Sequence, residues 1–522
     1  MIDESIEQVI SETYNAVIIG AGNGGLIAAA ELASRGAKIL LLEQHNLPGG
    51  FASSFVRGRF EFETSLHELY DYGSSSDKGG TRRLLERYEI DSEFVAVPEA
   101  YRLILTDPNE NLNVVMPFGI DAYLDTIEKE VPGSRESVRK FFDLAEDINR
   151  ATFYIGQTKG HPDQNVLLNE HSNFLKTTAY SVEDVQNALN IPEKARDILN
   201  AYWVYLGLPM SRVNFTIFVS MVYGYILKGA YIPKFRSHDY TTALDTRIRE
   251  LGGKIEYNTT VEKILVENGK VVGVETSKGD KIKTNHVVCN ASPTLTYNKL
   301  IHPKSEVPEI AYKEINARRH GVSTFVVYLG LDATADELGL KDYSYFINNN
   351  MNTDELYDSL DNLETPKVQA TICLNRAIPD CSPPGTCIVS ITTAFLPGVW
   401  DAVKPEDYVT LKNKIAEDLI NTLEITTGAP IKEHIEEIEV ATPQTIARFT
   451  RSYNGVVYGY EPDSWDSFVP RLMTMNDEKH IEGLEFCGGF GKRCHGYSSS
   501  LKDGETAALL TLQDLIQKGE LK

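Results

Sequence analysis

Three glycines, Gly20, Gly22 and Gly25 in the run GAGNGG, have a spacing that brings main chain against a pyrophosphate. The first permits a tight turn, the second lets backbone approach phosphate oxygens, and the third lets a helix pack closely on a strand. Asn23 and Gly24 complete the turn, at a helix start whose amides can face an anion. Further on, Glu43 offers a carboxylate able to accept hydrogen bonds from a ribose. Two titratable clusters also stand out: His67, Glu68, Tyr70, Asp71 and Tyr72, and then Lys492, Arg493, Cys494, His495 and Tyr497 between glycines. An imidazole titrates near neutral pH, so His67 could exchange a proton, while His495 could face a substrate or cap its turn.

The elements that must hold these groups follow from the pattern. Residues 14–19, YNAVII, form a short β-branched run; a helix rich in small residues follows the glycines; a second strand, 37–42, ends at Glu43. Strand, glycine turn, helix, strand and terminal acid suit either FAD or NAD.

The 522 residues predict two to four domains with a large core, and 42% hydrophobic and 24% charged residues are those of a globular protein. A net charge of −23 argues against a nucleic-acid surface. Six irregularly spaced cysteines suggest neither a disulfide framework nor a zinc site, so reduced thiols, no metal and a cytoplasmic location are expected. The acidic opening MIDESIEQVISET lacks the basic and apolar regions of a signal peptide. Residues 213–232 are broken by Asn214, Thr216, Ser220 and Lys228, which predicts a core helix rather than a membrane span. Their aromatic face leaves peripheral membrane contact, or contact with a greasy ligand, as the other reading.

Beyond Glu43, NLPGGFASSFVRGRFEFETSLHEL carries Pro48-Gly49-Gly50, then Ser53, then alternating aromatic and acidic residues. This run resembles the flavoprotein group containing phytoene desaturases, carotenoid isomerases and retinol saturases, and more distantly the amine oxidases. The resemblance continues in order. Residues 240–293 combine an amphipathic helix, the Gly252-Gly253 turn and strands separated by Asn268-Gly269 and Lys278-Gly279. Pro383-Pro384-Gly385, Thr442-Pro443-Gln444 and Tyr458-Gly459 come next, and residues 481–508, IEGLEFCGGFGKRCHGYSSSLKDGETAA, resemble the group's closing flavin motif. The chain departs from the group at FRSHDYTTAL, where relatives generally carry a glycine pair, and at Glu61, Glu63 and Ser65.

The resemblance implies FAD. It places Gly49, Gly50 and Ser53 by the diphosphate and ribityl chain, Val261 against the adenine through its backbone, and Gly488, Gly489, Gly496 and Ser499 in the closing turn and the helix aimed at the flavin. It also places a histidine near the flavin at His67, the leading acid/base candidate, with Tyr70 and His495 as further catalytic candidates. Lys492 or Arg493 would stabilise an anionic reduced flavin, and Cys494 reads as a small buried thiol rather than a covalent flavin link.

The implied architecture is an α/β, Rossmann-type FAD-binding domain built discontinuously from residues 1–95, 236–297 and 446–522. A mixed α+β substrate domain would take residues 96–235 and 298–445, with the active site between the two. The expected function is an FAD-dependent oxidoreductase acting on a carbon–carbon bond of an apolar, unsaturated or isoprenoid-like substrate, with reduction favoured over desaturation and isomerisation. Flavin amine oxidation ranks second, because Phe51 stands where amine oxidases commonly place arginine. Prenyl-protein escorts share the architecture without catalysing, a reading disfavoured by the intact Gly20, Gly22, Gly25 and Glu43 set. A single dinucleotide fingerprint gives no sign of a separate NAD(P)H site. Tyr202, Trp203, Tyr205, Phe215, Phe218, Tyr223, Tyr225 and Tyr231 could wall a tunnel for a long apolar substrate or simply pack in the core.

Overall fold

A computed structural model describes residues 13–110, 112–158, 161–467, 471 and 479–521; the acidic opening residues 1–12 lie outside that set. A five-stranded parallel sheet runs in the order Lys254–Glu256, Ile39–Leu42, Ala16–Ile19, Val287–Cys289, Leu484–Phe486. Its strands therefore come from widely separated stretches of the chain. AVII and ILLL are buried at every position, as strands covered on both faces must be. Each such Val, Ile or Leu contributes about 1.5–3 kcal/mol by leaving water.

On one face lie the helices Asn23–Ser34 and Tyr497–Gln517, packed through Ala28, Ala29, Ala507 and Ala508. Small side chains let them approach closely: a Cβ on Gly504 would run into the Gly24 carbonyl oxygen. The first helix stops at Gly36, whose φ of +82° lets the Gly36 and Ala37 amides return to Ala33 and Leu32. The other face carries the antiparallel strands Val261–Glu267, Lys270–Thr276 and Lys281–Thr284, whose turns fall at Asn268-Gly269 and Lys278-Gly279 as the sequence predicts.

A second sheet has seven strands in the order Ile435–Ala441, Ser323–Leu331, Cys387–Phe395, Val368–Cys373, Ser344–Asn348, Tyr101–Leu105, Asn113–Met116. All neighbours are antiparallel except Ser344–Asn348 with Tyr101–Leu105. One face packs on the helix Tyr408–Thr427, and the other on a helical insert that includes Arg135–Gln157 and Phe215–Lys228.

Residues 181–207 carry apolar residues at three- and four-residue steps but are divided into Val182–Ala188, Glu193–Leu199 and the 3-10 turn Asn200–Tyr205. Asn190 at φ +53° and Pro192 impose the break. The aromatic helix Phe215–Lys228 is largely buried, and residues 213–232 supply part of the core. Among the described residues no helix is long and apolar enough to cross a membrane.

Candidate cofactor and substrate site

A cavity of about 860 Å³ lies at the carboxyl ends of the parallel strands, where such sheets take ligands. Ile19, Leu42 and Asn290 line it from that sheet. Val326, Tyr328 and Thr392 face it from the seven-stranded sheet, and Tyr205, Ile217, Met221 and Tyr225 from the helical insert. Of the cofactor residues inferred from sequence, Gly20, Gly22, Asn23, Gly24, Glu43, Gly49, Gly50, Ser53, Val261, Gly488, Gly489, Gly496 and Ser499 all line it. So do His67, Tyr70 and His495. Gly25 alone does not, because it lies beneath the turn, where a Cβ would run into the Gly20 carbonyl oxygen.

The glycine turn is shaped by space as much as by φ. Gly20 has φ +91°, and a Cβ on Gly22 would come within 2.5 Å of the Asn290 side-chain amide. A Cβ on Gly24 would lie 2.6 Å from the Gly488 nitrogen. Asn290, oriented to satisfy both neighbours, donates to the Cys487 carbonyl and accepts from the Gly22 amide, each at 3.3 Å. Gly49 donates to the Ala21 carbonyl at 2.7 Å, which brings the Pro48-Gly49-Gly50 segment across the turn. No side chain caps the helix that begins after Gly22, leaving its first amides for a ligand anion.

Glu43 is buried at the end of its strand, where its two carboxylate oxygens accept from the Ala21 amide at 2.6 Å and the His45 amide at 2.8 Å. The remaining lone pairs are those available to a ribose. Opposite, Gly496 at φ +96° starts the helix Tyr497–Gln517, again without a side-chain cap. Two helix N-termini thus open on one cavity, and both favour negative charge there.

At the aromatic side, His67 Nε2 pairs with Thr392 Oγ1 at 2.9 Å, and burial pushes the imidazole down to about 4. The sequence suggested an imidazole titrating near working pH; desolvation removes that property and leaves His67 neutral. Tyr70 Oη shares a hydrogen bond with Ser499 Oγ at 2.9 Å. His495 stacks on Tyr458 with ring centroids 4.8 Å apart, and its Nδ1 lies 3.4 Å from Cys494 Sγ. Burial raises the Cys494 thiol, but His495 and Arg471 outweigh it and bring the group down to about 7. Arg493 lines the cavity, with Nε donating to Thr506 Oγ1 at 2.8 Å; Lys492 is not on that wall. Of the aromatic group, Tyr205 and Tyr225 wall the cavity, while Tyr202, Trp203, Phe215 and Phe218 are core.

Sequence reasoning missed Asn290 and assigned no role of its own to Glu68. Asn290 follows the buried run VVC as Glu43 follows ILLL, so a polar residue ending a buried strand was the available signal. Glu68, recognised only as a neighbour of His67, proves to be a buried carboxyl on the cavity wall.

An elongated dinucleotide fits this donor set. The amides after Gly22 would hold the diphosphate, Glu43 the adenosine ribose, and Val261 the adenine edge. Gly50 and Ser53 would flank the ribityl chain, with the Tyr497–Gln517 N-terminus facing the flavin ring. Fold and site together define a flavin-dependent oxidoreductase. Residues 24–409 match the family described as flavin containing amine oxidoreductase, and the chain belongs to it, with FAD as its cofactor. Among its relatives, all-trans-retinol 13,14-reductase of Danio rerio is 25% identical over 96% of this chain and 86% of that protein. Prolycopene isomerase 2 (chloroplastic) of an Oncidium hybrid cultivar is 26% identical over 87% of this chain and 76% of its own. A solved oxidoreductase from Methanosarcina mazei shares the fold, with TM-score 0.62 and 16% identity over 96% of this chain and 99% of that one.

Proposed function

We propose that this FAD-dependent oxidoreductase adds two hydrogens across a carbon–carbon double bond of an apolar, isoprenoid-like substrate. The observation that carries this reading is the cavity wall facing away from the nucleotide turn. Leu206, Ile217, Met221 and Val326 line it together with Tyr70, Tyr205 and Tyr225, and the ionisable His67 and Glu68 are both held in their neutral forms by burial. Such a wall accepts a long hydrocarbon, and with Glu68 neutral it offers an ammonium ion no carboxylate partner there, which argues against amine oxidation. The names of the relatives, a retinol reductase and prolycopene isomerases, point the same way.

Bound FAD in its reduced form supplies hydride. The chain's own residues bind and orient the substrate. His67 is fixed by Thr392 and offers a neutral ring edge, Tyr70 is tied by Ser499 to the start of the C-terminal helix, and His495 closes the wall against Tyr458.

Dithionite-reduced holoenzyme incubated anaerobically with all-trans-retinol should yield a product heavier by two hydrogens. Loss of two hydrogens with oxidised enzyme would replace reduction by desaturation, and an unchanged mass with altered retention time would make the protein an isomerase. Oxidation of putrescine instead would overturn the apolar-substrate reading.

A further inference from the structure

We propose that Glu68 stores the proton that completes the reduction and delivers it through the Tyr205 hydroxyl to the substrate carbon that does not receive hydride. The inference rests on the reductive reading above. Glu68 stands in a stretch of chain pinned on both sides. The Leu69 amide donates to the Tyr231 carbonyl at 2.8 Å, and the Tyr231 amide returns a bond to the Leu69 carbonyl at 3.0 Å. The Tyr343 hydroxyl donates to the His67 carbonyl, and the Tyr225 hydroxyl to the Glu68 carbonyl at 3.3 Å. These bonds hold the main chain of this stretch in place, and Glu68 is only 5% exposed.

Its carboxyl group is half satisfied. Oε1 accepts from the Tyr205 hydroxyl at 2.8 Å and Tyr202 also favours the ionised carboxyl, but no hydrogen bond of good geometry reaches the buried Oε2. The titratable groups facing it are Tyr202 and Tyr205 from the turn Asn200–Tyr205, Tyr225 from the helix Phe215–Lys228, Tyr101 with Glu99 just before it, and Tyr343. Burial holds all five phenols well above their ordinary value, so they stay neutral. Glu99 is also raised, chiefly by burial, and accepts from the Tyr343 and Ser344 amides at 2.6 and 3.0 Å. Among the described residues no lysine or arginine pairs with Glu68.

An ionised carboxylate with one bare oxygen in such a cage is strongly disfavoured. Burial accordingly pushes Glu68 up to about 8, and at neutral pH it carries a proton that the adjacent neutral His67 lacks. Because Tyr205 both touches Glu68 and lines the cavity, one shift balances the reaction. For this step the Tyr205 hydroxyl turns from Glu68 to the substrate, and the protonated Glu68 carboxyl donates to the Tyr205 oxygen in its place. The Tyr205 proton then forms the new C–H bond while the Glu68 proton moves to the Tyr205 oxygen. The other carbon would take the hydride that reduced FAD, a two-electron donor, supplies when bound. Glu68 is left as a carboxylate, to be reprotonated from water.

The test uses FAD-loaded protein and Glu68→Gln, which keeps the volume and the oxygen that accepts from Tyr205 but has no acid proton. Infrared difference spectra of wild type minus variant should show a protonated-carboxyl band at neutral pH that fades only as pH rises through about 8. If that band is absent at neutral pH the proposal fails, whatever the substrate. In single turnovers of the reduced enzyme with all-trans-retinol, Glu68→Gln and Tyr205→Phe should each be slower by about 10²–10⁴-fold with unchanged flavin absorbance. The wild-type rate should fall as pH passes about 8, while the residual Glu68→Gln rate stays flat. A normal rate in Glu68→Gln overturns the proposal. No product from wild type would sink the reductive reading instead, and the infrared arm would still decide whether Glu68 holds the proton.

Discussion

Replacing Glu43 by Gln changes one oxygen to an amino group and almost nothing else. Both carboxylate oxygens are in use, one by the Ala21 amide at 2.6 Å and one by the His45 amide at 2.8 Å. Gln can satisfy one amide only and must aim its own N–H₂ at the other, so a buried donor faces a donor. A hydrogen bond to a charged group is worth about 1.5–3 kcal/mol, and an unsatisfied buried N–H adds its desolvation penalty. Because Ala21 sits between Gly20 and Gly22, the disturbance reaches the phosphate turn directly, and the ribose loses a charged acceptor as well. At about 1.4 kcal/mol per factor of ten, the Kd for FAD should rise about 10–100-fold in Glu43→Gln, and further in Glu43→Ala. The assay is titration of apoprotein with FAD, followed by flavin fluorescence, with turnover then measured at saturating FAD. Turnover should be nearly unchanged, since Glu43 lies at the end of its strand, away from the His67 wall. Wild-type affinity in both variants, or a loss confined to turnover, would refute the assignment.

Gly504→Ala should lower stability to urea by about 1–3 kcal/mol, because the new methyl collides with the Gly24 carbonyl and must push the helices away from each other; unchanged stability would disprove their close crossing. His67→Gln should keep FAD but slow turnover, and the wild-type pH profile should show no limb near the ordinary imidazole value of 6.5; a limb there that disappears in His67→Gln would contradict burial of a neutral ring. Glu63, half-buried with its carboxyl raised by desolvation from 4.5 to about 7, favours the folded state only while protonated. Its contribution is full below 4.5 and is lost as pH rises through about 7, so Glu63→Gln should flatten that decline in thermal melts; an unaltered pH profile would count against a raised carboxyl.

The nucleotide half of the site was legible in the sequence because its determinants are local. Gly20, Gly22 and Gly25 fall within one turn, and the strand that follows the helix carries Glu43 to a place fixed by the βαβ geometry alone. The strand breaks at Asn268-Gly269 and Lys278-Gly279 are likewise set by residues that tolerate positive φ where they stand. Across residues 181–207 apolar periodicity alone does not show where one helix ends and the next begins, because Asn190 and Pro192 interrupt the backbone without interrupting the pattern.

The chemical half depended on what the fold brings together. Asn290 meets Gly22, and Gly488 meets Gly24, across hundreds of residues of chain, and no spacing rule links them. The ionisation of His67 and Glu68 was hidden for the same reason. Adjacent in sequence, both are exposed to water in an unfolded chain and would there titrate normally. Only when the fold buries His67 and closes Tyr101, Tyr202, Tyr205, Tyr225 and Tyr343 around Glu68 does desolvation strip charge from both, driving one pKa down and the other up. The sequence determined which groups are present and how the cofactor turn is built; burial, a property of the assembled tertiary structure, decided which of them holds a proton.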